Sequence, residues 1–207
     1  MDALGMIGTV GSRLRLVLRQ PDGSFAVGGP EVETLPEVEF VAFAADGRLS
    51  GRIGLDAARL SDMLNAHNEF QLEQVLWERL PDGGQMVIPE FLVRRDELLI
   101  VHATGPRGDR SRRTRTVARA MTIRSGPYLV TGDVHTAPGL DPLLFFRRRQ
   151  PMVPLTDAMI QYNGAAGSVK EFAETIVVNR DLTDWVRRND TEAVPGTVSD
   201  RLGHPTN

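Results

Sequence analysis

Two stretches of the chain follow one pattern: VAFAADGRLSGRI at residues 41–53 and MTIRSGPYLVTGDV at residues 121–134. Each begins with an apolar run, passes through a turn and continues in a second run that contains a glycine. The sequence Asp46-Gly47 is typical of a β-hairpin, because glycine tolerates the positive φ that a tight turn requires. The letters SGP at residues 125–127 occupy the corresponding place but match the pattern of a hairpin turn less well. The two stretches therefore predict the same hairpin twice.

The similarity extends over residues 38–101 and 118–186, with an offset that drifts from 80 to 85 and places Val41 opposite Met121. Both stretches read as strand, turn, strand, short helix, strand, loop and strand. The identical pairs are few: Gly51/Gly132, Leu60/Leu140, Leu64/Leu144, Leu72/Leu155, Arg95/Arg180 and Asp96/Asp181. Free gaps can make any two β-rich stretches look alike. The order of the elements agrees as well as the letters, however, and this favours a tandem repeat.

The helix of the second copy has a well-marked start. Asp141 can cap exposed backbone N–H groups, and Pro142 stands where its missing N–H costs nothing. In the first copy Ser61 occupies the same place, and Asp56 is a competing cap. The apolar residues of the first helix have the i, i+3, i+4 spacing of a buried face: Leu60, Met63 and Leu64.

After each helix the pattern predicts two more strands. In the first copy they are residues 71–80 and 85–93, joined by the turn PDGG. Their counterparts in the second copy are residues 159–162 and 175–178, joined by the loop NGAAGS. Residues 98–102 are a candidate for one more strand in the first copy.

The sequence predicts a mainly β fold, in which two tandem β-β-α-β-β repeats form small barrel- or sandwich-like units packed together. A unit of about 65 residues buries only about 60% of its unfolded surface, so it is marginal alone. Two packed copies would share a core and hide open strand edges. The predicted segments are an N-terminal hairpin and linker (1–36), repeat 1 (37–104), an arginine-rich linker (105–117), repeat 2 (118–188) and a disordered tail (189–207).

A family resemblance lies mainly in the second copy. The letters GDVHTAPGLDPLL at residues 132–144 and MVPLTDA at residues 152–158 resemble a short bacterial domain of unknown function. Its pattern runs GxVHxPPG, then RLSDLLN, then FxPLTDA, and the first copy keeps the middle piece as RLSDMLN at residues 59–65. The resemblance supports the repeat and implies neither an activity nor site residues.

The composition excludes several classes of protein. The 207 residues include no cysteine, so disulfides, cysteine-ligated zinc, iron–sulfur clusters and thiol nucleophiles are excluded, which fits a reducing cytoplasm. Hydrophobic residues are 41% and charged residues 25% of the chain, as in an ordinary globular protein. No apolar run approaches the ~20 residues that cross a bilayer, and no leader pattern opens the sequence. We expect a cytoplasmic protein without a membrane span.

The formal net charge of −3 hides a strong asymmetry. Residues 1–104 hold 9 arginines against 16 acidic residues, and residues 151–207 hold 5 basic against 8 acidic residues. Residues 105–150, between them, hold 10 arginines against 3 aspartates. Nine of these arginines are candidates for anion binding: Arg107, Arg110, Arg112, Arg113, Arg115, Arg119, Arg147, Arg148 and Arg149.

These arginines have two interpretations. Arginine presents a planar set of donors that matches a phosphate, and clustered positive charge releases counterions from nucleic acid. Alternatively, residues 110–115 belong to a solvated linker, and residues 147–149 complement the negative C-terminal end of a helix. An isoelectric point near 5.8 and the scarcity of aromatic residues beside the cluster favour the second interpretation.

The sequence contains no recognisable catalytic pattern. Asp133 and His135 would share one strand face as half of a metal site, but no second motif supplies further ligands, so a hydrogen-bonded structural histidine is favoured. The Arg-Asp pairs at residues 95–96 and 180–181 predict a turn or a strand-end ion pair. No Gly-x-Ser-x-Gly motif occurs. We therefore expect no enzyme, no metal and no cofactor.

Two functions remain open at this point. The first is a non-enzymatic cytoplasmic binding or scaffold module that uses a protein partner or forms a homodimer through strand edges. The alternative is a nucleic-acid or other phosphate-ligand binding protein that uses the arginine-rich central segment. The sequence identifies neither the partner nor the ligand.

Overall fold

The computed structural model of the protein describes residues 35–106 and 114–189. Strands hold 59% and helices 14% of this part of the chain, so the predicted mainly β fold class is confirmed. All strands belong to one ten-stranded antiparallel sheet, which is open and not closed into a barrel. The predicted N-terminal hairpin, residues 107–113 of the predicted linker and the predicted tail from residue 190 lie outside the described residues.

The described residues form one series of elements twice, in unit 1 (residues 35–106) and in unit 2 (residues 114–189). The elements of unit 1 are β1 (Glu37–Phe43), β2 (Gly47–Gly54), α1 (Leu60–Ala66), β3 (Glu69–Arg79), β4 (Gln85–Arg94) and β5 (Ile100–His102). Those of unit 2 are β6 (Val117–Ser125), β7 (Tyr128–Thr136), α2 (Pro142–Arg148), β8 (Met152–Gly164), β9 (Gly167–Asn179) and β10 (Trp185–Arg188). A 3₁₀ turn follows the fourth strand of each unit, at Arg95–Glu97 and Arg180–Leu182.

The strands pair in the same way within each unit, and the sheet order is β10-β6-β7-β8-β9-β5-β1-β2-β3-β4. The first strand lies between the second and the fifth, and the third lies between the second and the fourth. A β-bulge interrupts the pairing of the second and third strands in both units. At the bulges Gln74 and Asp157 adopt positive φ values of 51° and 48°. The units join where β5 pairs with β9, which makes the sheet continuous.

Two glycines allow the close approach at these bulges. A Cβ on Gly51 would lie 2.9 Å from the carbonyl oxygen of Glu73, and a Cβ on Gly132 would lie 3.0 Å from the Cβ of Ala158. Both positions are on the second strand and face the third. Both glycines therefore allow a close approach of the third strand, and a Cβ at Gly51 would force its neighbour to shift.

The same glycines show which residues of the two units correspond. Gly51 pairs with Phe40, and Gly132 pairs with Met121, so Phe40 corresponds to Met121. The sequence alignment, which placed Val41 opposite Met121, was wrong by one residue. A shift of one residue exchanges the two faces of a strand, and in the observed register Phe40 and Met121 each pack in the core of their own unit.

The two helices begin in different ways. Asp141 accepts a hydrogen bond from the backbone N–H of Leu143 at 3.1 Å with Pro142 at the first helical position, so the predicted cap of α2 is confirmed. α1 begins one residue before Ser61, and its N-cap residue Arg59 makes no side-chain cap, so the predicted cap at Ser61 was wrong. The predicted apolar face of α1 is confirmed: Leu60, Met63 and Leu64 are buried. Neither helix of the described segments has the length or the apolar content to cross a bilayer.

The third and fourth strands of unit 2 are much longer than the sequence predicts. β8 and β9 have 13 residues each and are joined by a tight turn at which Gly164 pairs with Gly167. Gly167 has a φ of 114°, which L side chains rarely adopt. The small and polar residues at 165–168 were interpreted as a loop, because one face of this hairpin is exposed and gives no strong apolar alternation.

The centre of the sheet separates two hydrophobic cores. Side chains of β1 alternate between them: Phe40 and Ala42 belong to the core of unit 1, whereas Val41 and Phe43 belong to the core of unit 2. Val177 of β9 likewise packs in the core of unit 1. The units therefore share their central strands, and each core is completed by residues of the other unit.

Polar contacts also join the units. The hydroxyl of Tyr128 donates to the carbonyl oxygen of Ala44 at 2.7 Å. The amide of Asn65 donates to the carbonyl oxygen of Met152 at 2.9 Å and accepts from its N–H at 3.0 Å. These bonds satisfy buried backbone groups that would otherwise be costly, so they fix how the two units meet.

Candidate functional site

A groove opens in unit 2 beside the start of α2, with a volume of about 560 Å³. It lies between the first strand β6, the last strand β10 and the loop that leads into the helix. Its lining includes Arg119, Leu140, Asp141, Pro142, Arg188 and Asn189. The groove is therefore charged on the strand side and largely apolar on the helix side.

The strand pairing brings the two arginines of the groove together. Arg188 pairs directly with Met121, and Arg119 precedes Met121 by two residues on the same strand. Residues in this diagonal relation share a sheet face and lie within reach of each other. Asn189 accepts a hydrogen bond from the hydroxyl of Thr122 at 2.6 Å, which holds the end of β10 against β6. The positions of both guanidinium groups are thus set by the sheet.

One acidic residue balances part of this charge. A carboxylate oxygen of Asp141 lies 3.9 Å from a guanidinium nitrogen of Arg188, and the same carboxylate caps α2. The side chains of both residues are about half exposed, at 51% and 46%. Among the described residues that line the groove, two are arginines and one is an aspartate.

A smaller depression of about 290 Å³ adjoins the groove and shares Leu140 with it. Leu144, Phe145, Arg148 and Arg149 complete its lining. The guanidinium of Arg149 lies 4.5 Å from the centre of the Phe145 ring, which is a cation–π contact. This contact covers the aromatic ring and holds the arginine beside α2.

The nine predicted anion-binding residues are only partly brought together. Arg119 lines the groove, and Arg148 and Arg149 line the depression beyond Leu140. Exposed positions are also found for Arg115, before β6, and for Arg147, in the last turn of α2. Four candidates lie outside the described residues: Arg107, Arg110, Arg112 and Arg113. Their role in anion binding stays a prediction.

Each unit uses one arginine to close the end of its helix. Arg180 donates to the carbonyl oxygens of Arg147, at 2.8 Å, and Arg149. Arg95 takes the same place in unit 1 and reaches the carbonyl oxygens of the residues that end α1 at 3.3 and 3.4 Å. Both arginines begin a 3₁₀ turn, so the turn predicted at these Arg-Asp pairs is confirmed. Cations at these carbonyls are favoured by the negative end of the helix dipole.

Aromatic rings meet where the two units join. Phe43 lies 5.3 Å from Tyr128 and 5.8 Å from Tyr162, and His102 lies 5.4 Å from Phe43, measured between ring centres. Burial raises the pKa of Tyr128 far above its ordinary value, so this phenol stays protonated. Burial also lowers the pKa of His102, which favours its neutral form. The Nε2 atom of His102 is buried and has no hydrogen-bond partner among the described residues.

A carboxylate lies at the rim of this aromatic group. Glu171 accepts a hydrogen bond from the hydroxyl of Tyr162 at 2.6 Å, and its other oxygen lies 3.9 Å from Arg48. Burial, followed by the bond to Glu171, raises the pKa of Tyr162 well above its usual range. The phenol is therefore a hydrogen-bond donor at neutral pH. The aromatic rings form a structural contact between the units.

The predicted half of a metal site is a hydrogen-bonded histidine. Nδ1 of His135 lies 3.3 Å from the hydroxyl of Thr116, and Nε2 lies 2.8 Å from the hydroxyl of Thr156. Both ring nitrogens are thus occupied by neighbouring strands. Residues 35–106 and 114–189 contain no group of three or more His, Asp or Glu side chains placed to hold a metal.

The two most exposed large apolar side chains occupy corresponding positions. Val87 in β4 is 73% exposed and Phe172 in β9 is 78% exposed. Val87 pairs with the residue two positions after Gln74, and Phe172 pairs with the residue two positions after Asp157. Each therefore stands on the outer face of the fourth strand, just beyond the bulge.

Comparison with known proteins adds no relative: no protein-family model, curated protein or solved structure matches the chain. The resemblance to a short bacterial domain stays a prediction. Inference about function therefore rests on the geometry of the unit junction, the groove and the exposed strand faces.

Sequence reasoning missed Arg188 and Asn189. Their signal in the sequence is only a short Arg-Arg-Asn run at residues 187–189, next to the predicted tail. They join Arg119 because β10 returns to pair with β6 across more than sixty intervening residues. No local pattern in the sequence indicates that β10 pairs with β6.

Proposed function

We propose that the chain consists of two diverged copies of one unit and acts as a non-enzymatic protein-interaction module. The duplication is supported by the shared order of elements, the shared strand pairing and the bulge at the same place in both units. The helix-closing arginines, Arg95 and Arg180, support it further. The polar side chains at the junction serve structural contacts, which suits a scaffold.

The observation that carries the interaction function is the matched exposure of Val87 and Phe172. A single exposed apolar residue needs no explanation, but large apolar side chains at corresponding places in two diverged units indicate a face that is used. Met86, next to Val87 in β4, is also 47% exposed, on the opposite face of the strand.

Both fourth strands also offer backbone groups for pairing. Among the described residues β4 pairs only with β3, and β9 pairs with β5 only at residues 176–178. A Cβ on Gly83 would lie 3.2 Å from the Cβ of Ala165, so the two hairpin tips meet at one end of the molecule. An extended partner segment can add to either strand there, with main-chain hydrogen bonds giving affinity and the apolar side chains giving specificity.

A second copy of the chain is the simplest partner. The exposed edge of β4 on one chain can add to the exposed part of β9 on the other, and a twofold axis repeats this pairing. Unit 1 holds 6 arginines against 12 acidic residues within residues 35–106, a net charge of −6. Unit 2 holds 10 basic against 7 acidic residues within residues 114–189, a net charge of +3. The opposite charges favour a dimer in which unit 1 of one chain faces unit 2 of the other.

Sedimentation of the full chain over a range of concentrations tests this proposal. We expect the wild type to dimerise and the double variant Val87→Asp, Phe172→Asp to remain monomeric, because a buried carboxylate without a partner is costly. Leu144→Asp is the matched control, since it places the same charge on an apolar residue of α2 that is 38% exposed. A dimer that survives in the double variant, or a wild type that stays monomeric at every concentration, contradicts the homodimer.

A further inference from the structure

The sheet repeats one order of strands, because each unit contributes its fifth, first, second, third and fourth strands in turn. Inside the molecule, the fourth strand of unit 2 (β9) lies beside the fifth strand of unit 1 (β5). At the two ends of the sheet, the fourth strand of unit 1 (β4) and the fifth strand of unit 2 (β10) each have one partner strand among the described residues. The two end strands are thus of the same two kinds that meet at the internal junction.

An exposed apolar residue on β4 corresponds to a buried one on β9. Leu92 pairs with the residue three positions before Gln74, and Val177 pairs with the residue three positions before Asp157, so the two correspond. Val177 pairs with a residue of β5 and is fully buried in the core of unit 1. Leu92, on the end strand, is 37% exposed. The end of the sheet at β4 thus leaves open a contact that the internal junction fills.

The other end strand, β10, differs from β5 in the same way. Trp185 pairs with the residue three positions after Met121, and Ile100 pairs with the residue three positions after Phe40, so the two correspond. Ile100 is fully buried at the junction, whereas Trp185 is 45% exposed. A large aromatic side chain on an edge strand presents an apolar area that a further strand would cover.

The helix beside the junction supplies a third correspondence. Asn65, six residues after the N-cap of α1, bonds to the backbone of Met152, the first residue of β8. The residue six positions after the N-cap of α2 is Arg147, and the first residue of β3 is Glu69. Both side chains are exposed. A contact between copies that repeats the junction would therefore set a guanidinium beside a carboxylate at this place, and opposite charges favour that arrangement.

We propose that copies of the chain associate head to tail, with β4 of one copy paired to β10 of the next, as β9 is paired to β5 within the molecule. The internal register predicts the pairing between copies: Leu92 lies opposite Val186, just as Val177 lies opposite Val101. The contact joins two different edges, so a row of copies stays open unless its rotation closes a ring. Because the contact continues an interface that the fold already forms, a second copy of the chain is the partner that fits it.

This contact is separate from the twofold pairing proposed above. It uses the part of β4 after Pro89, whereas Val87 lies before Pro89, and proline has no N–H to donate to an added strand. The internal junction pairs three residues of each strand. The contact between copies is equally short, so it should form only at high protein concentration.

Cysteine cross-linking of the full chain tests this contact, because the sequence contains no cysteine of its own. Leu92→Cys chains and Val186→Cys chains are mixed at about 0.5 mM with oxidised glutathione, and mass spectrometry identifies disulfide-linked dimers with one chain of each kind. Met86→Cys is the matched control for Leu92→Cys, since it is also exposed on β4 but lies away from the predicted partner. We expect at least about fivefold more mixed dimer with Leu92→Cys, because a disulfide needs Cβ atoms within about 4.5 Å of each other. Equal yields, or no mixed dimer, overturn the proposal.

A charge reversal gives a second measurement on the same mixture. Arg147→Glu in the Val186→Cys chain should lower the yield of mixed dimer by about threefold or more, because it sets two carboxylates against each other. Glu69→Arg in the Leu92→Cys chain should then restore the yield. Arg148→Glu is the matched control, since it changes the same charge on the neighbouring residue and should not respond to Glu69→Arg. A loss without recovery means that other residues lie opposite each other, and it overturns the predicted register.

The twofold pairing is tested apart from this contact. Val87→Asp with Phe172→Asp, introduced into both cysteine chains, should leave the yield of mixed dimer unchanged, because these residues lie outside the head-to-tail contact. A yield that falls to the level of the Met86→Cys control shows that the cross-link arose within the twofold dimer, and it overturns the head-to-tail contact.

Discussion

Unit 1 and unit 2 have the same strand pairing and bulges, yet they differ most where the first strand, the fifth strand and the helix start meet. Unit 1 fills this place with Val38, Ala57 and Ala103, whereas unit 2 opens it around Arg119 and Arg188. The sheet therefore forms with different residues at this corner. Pairing and buried faces maintain the fold.

The features that the two units share depend on residues that few other residues could replace. Gly51 and Gly132 stand where a Cβ would come very close to the third strand, and Arg95 and Arg180 bond to carbonyl oxygens at a helix end. The surface charge, by contrast, differs from −6 in unit 1 to +3 in unit 2.

The prediction with the largest expected effect tests whether the two units unfold together. Leu72 and Leu155 occupy corresponding positions and are both fully buried. Each Leu→Ala variant should lower the free energy of unfolding by about 3 kcal/mol, through lost burial and the cavity left behind. With Trp185→Phe as background, the fluorescence of buried Trp77 in unit 1 reports unfolding in urea.

Both leucine variants should shift this Trp77 transition by similar amounts, because the central strands belong to both cores. Leu92→Ala, at a residue that is 37% exposed, serves as the control and should shift it little. If Leu155→Ala leaves the Trp77 transition in place, the units unfold independently and the comparison applies to two separate domains.

A smaller effect is expected at the hydrogen bond that joins unit 2 to the hairpin of unit 1. Tyr128→Phe leaves the buried carbonyl oxygen of Ala44 without this donor and should cost about 1–2 kcal/mol of stability. Tyr162→Phe is the matched control, since its hydroxyl bonds to Glu171, whose side chain is 24% exposed, and it should cost about half as much. Urea unfolding of the two variants gives the difference, and equal costs would argue against a special role for the Tyr128 bond.

The helix-closing arginines offer a direct comparison of the units. Arg180→Ala should cost about 1 kcal/mol and Arg95→Ala less, because the bond of Arg180 at 2.8 Å is shorter than those of Arg95 at 3.3 and 3.4 Å. Thermal unfolding of both variants measures this, with Arg180→Lys showing how much of the effect is charge alone. A larger loss at Arg95 would reverse the ranking.

The smallest effect concerns pH and His102, whose place in unit 2 is taken by Arg187. Burial lowers the pKa of His102, against the opposing influence of Glu171 and with the help of Arg48. The unfolded chain takes up a proton near pH 6.5, whereas the folded chain does so only at lower pH. The stability due to the neutral ring is therefore complete above the unfolded pKa and is lost as the pH falls below it.

Urea unfolding from about pH 8 to about pH 5.5 should show this loss in the wild type and a weaker one in His102→Gln. The carboxylates contribute equally to both proteins, so the difference between the curves isolates the histidine. Parallel curves would mean that the ring is protonated as easily in the folded chain as in the unfolded one.

Local features of the fold could be predicted from the sequence. The cap at Asp141 and the buried face that includes Leu60 were found, since each depends on residues within one turn of backbone. The hairpin at Asp46-Gly47 was also found, but Gly47 does not adopt the expected positive φ; it leaves room for the ring of Trp77 instead. The alignment of the first strands failed by one residue. Because the length of a loop can vary, the sequence does not show the strand register. The pairing of Gly51 with Phe40 determines it.

The candidate site was found only in part. Arg119, Arg148 and Arg149 stood out as members of arginine runs, whereas Arg188 did not, because its partner strand lies far away in the chain. The exposed position of Phe172 was also missed: it lies in residues 169–174, for which no element was predicted, and the pairing of β9 with β8 makes them part of a strand.

The sequence by itself determined the order of the first four strands and the helix of each unit, because hydrophobic period, caps and glycine act over a few residues. The tertiary structure alone decided that β5 pairs with β9, that β10 returns to β6, and that two cores share the strands between them. Such pairings depend on burying faces that are distant in the chain, and their energy appears only when the whole sheet has formed.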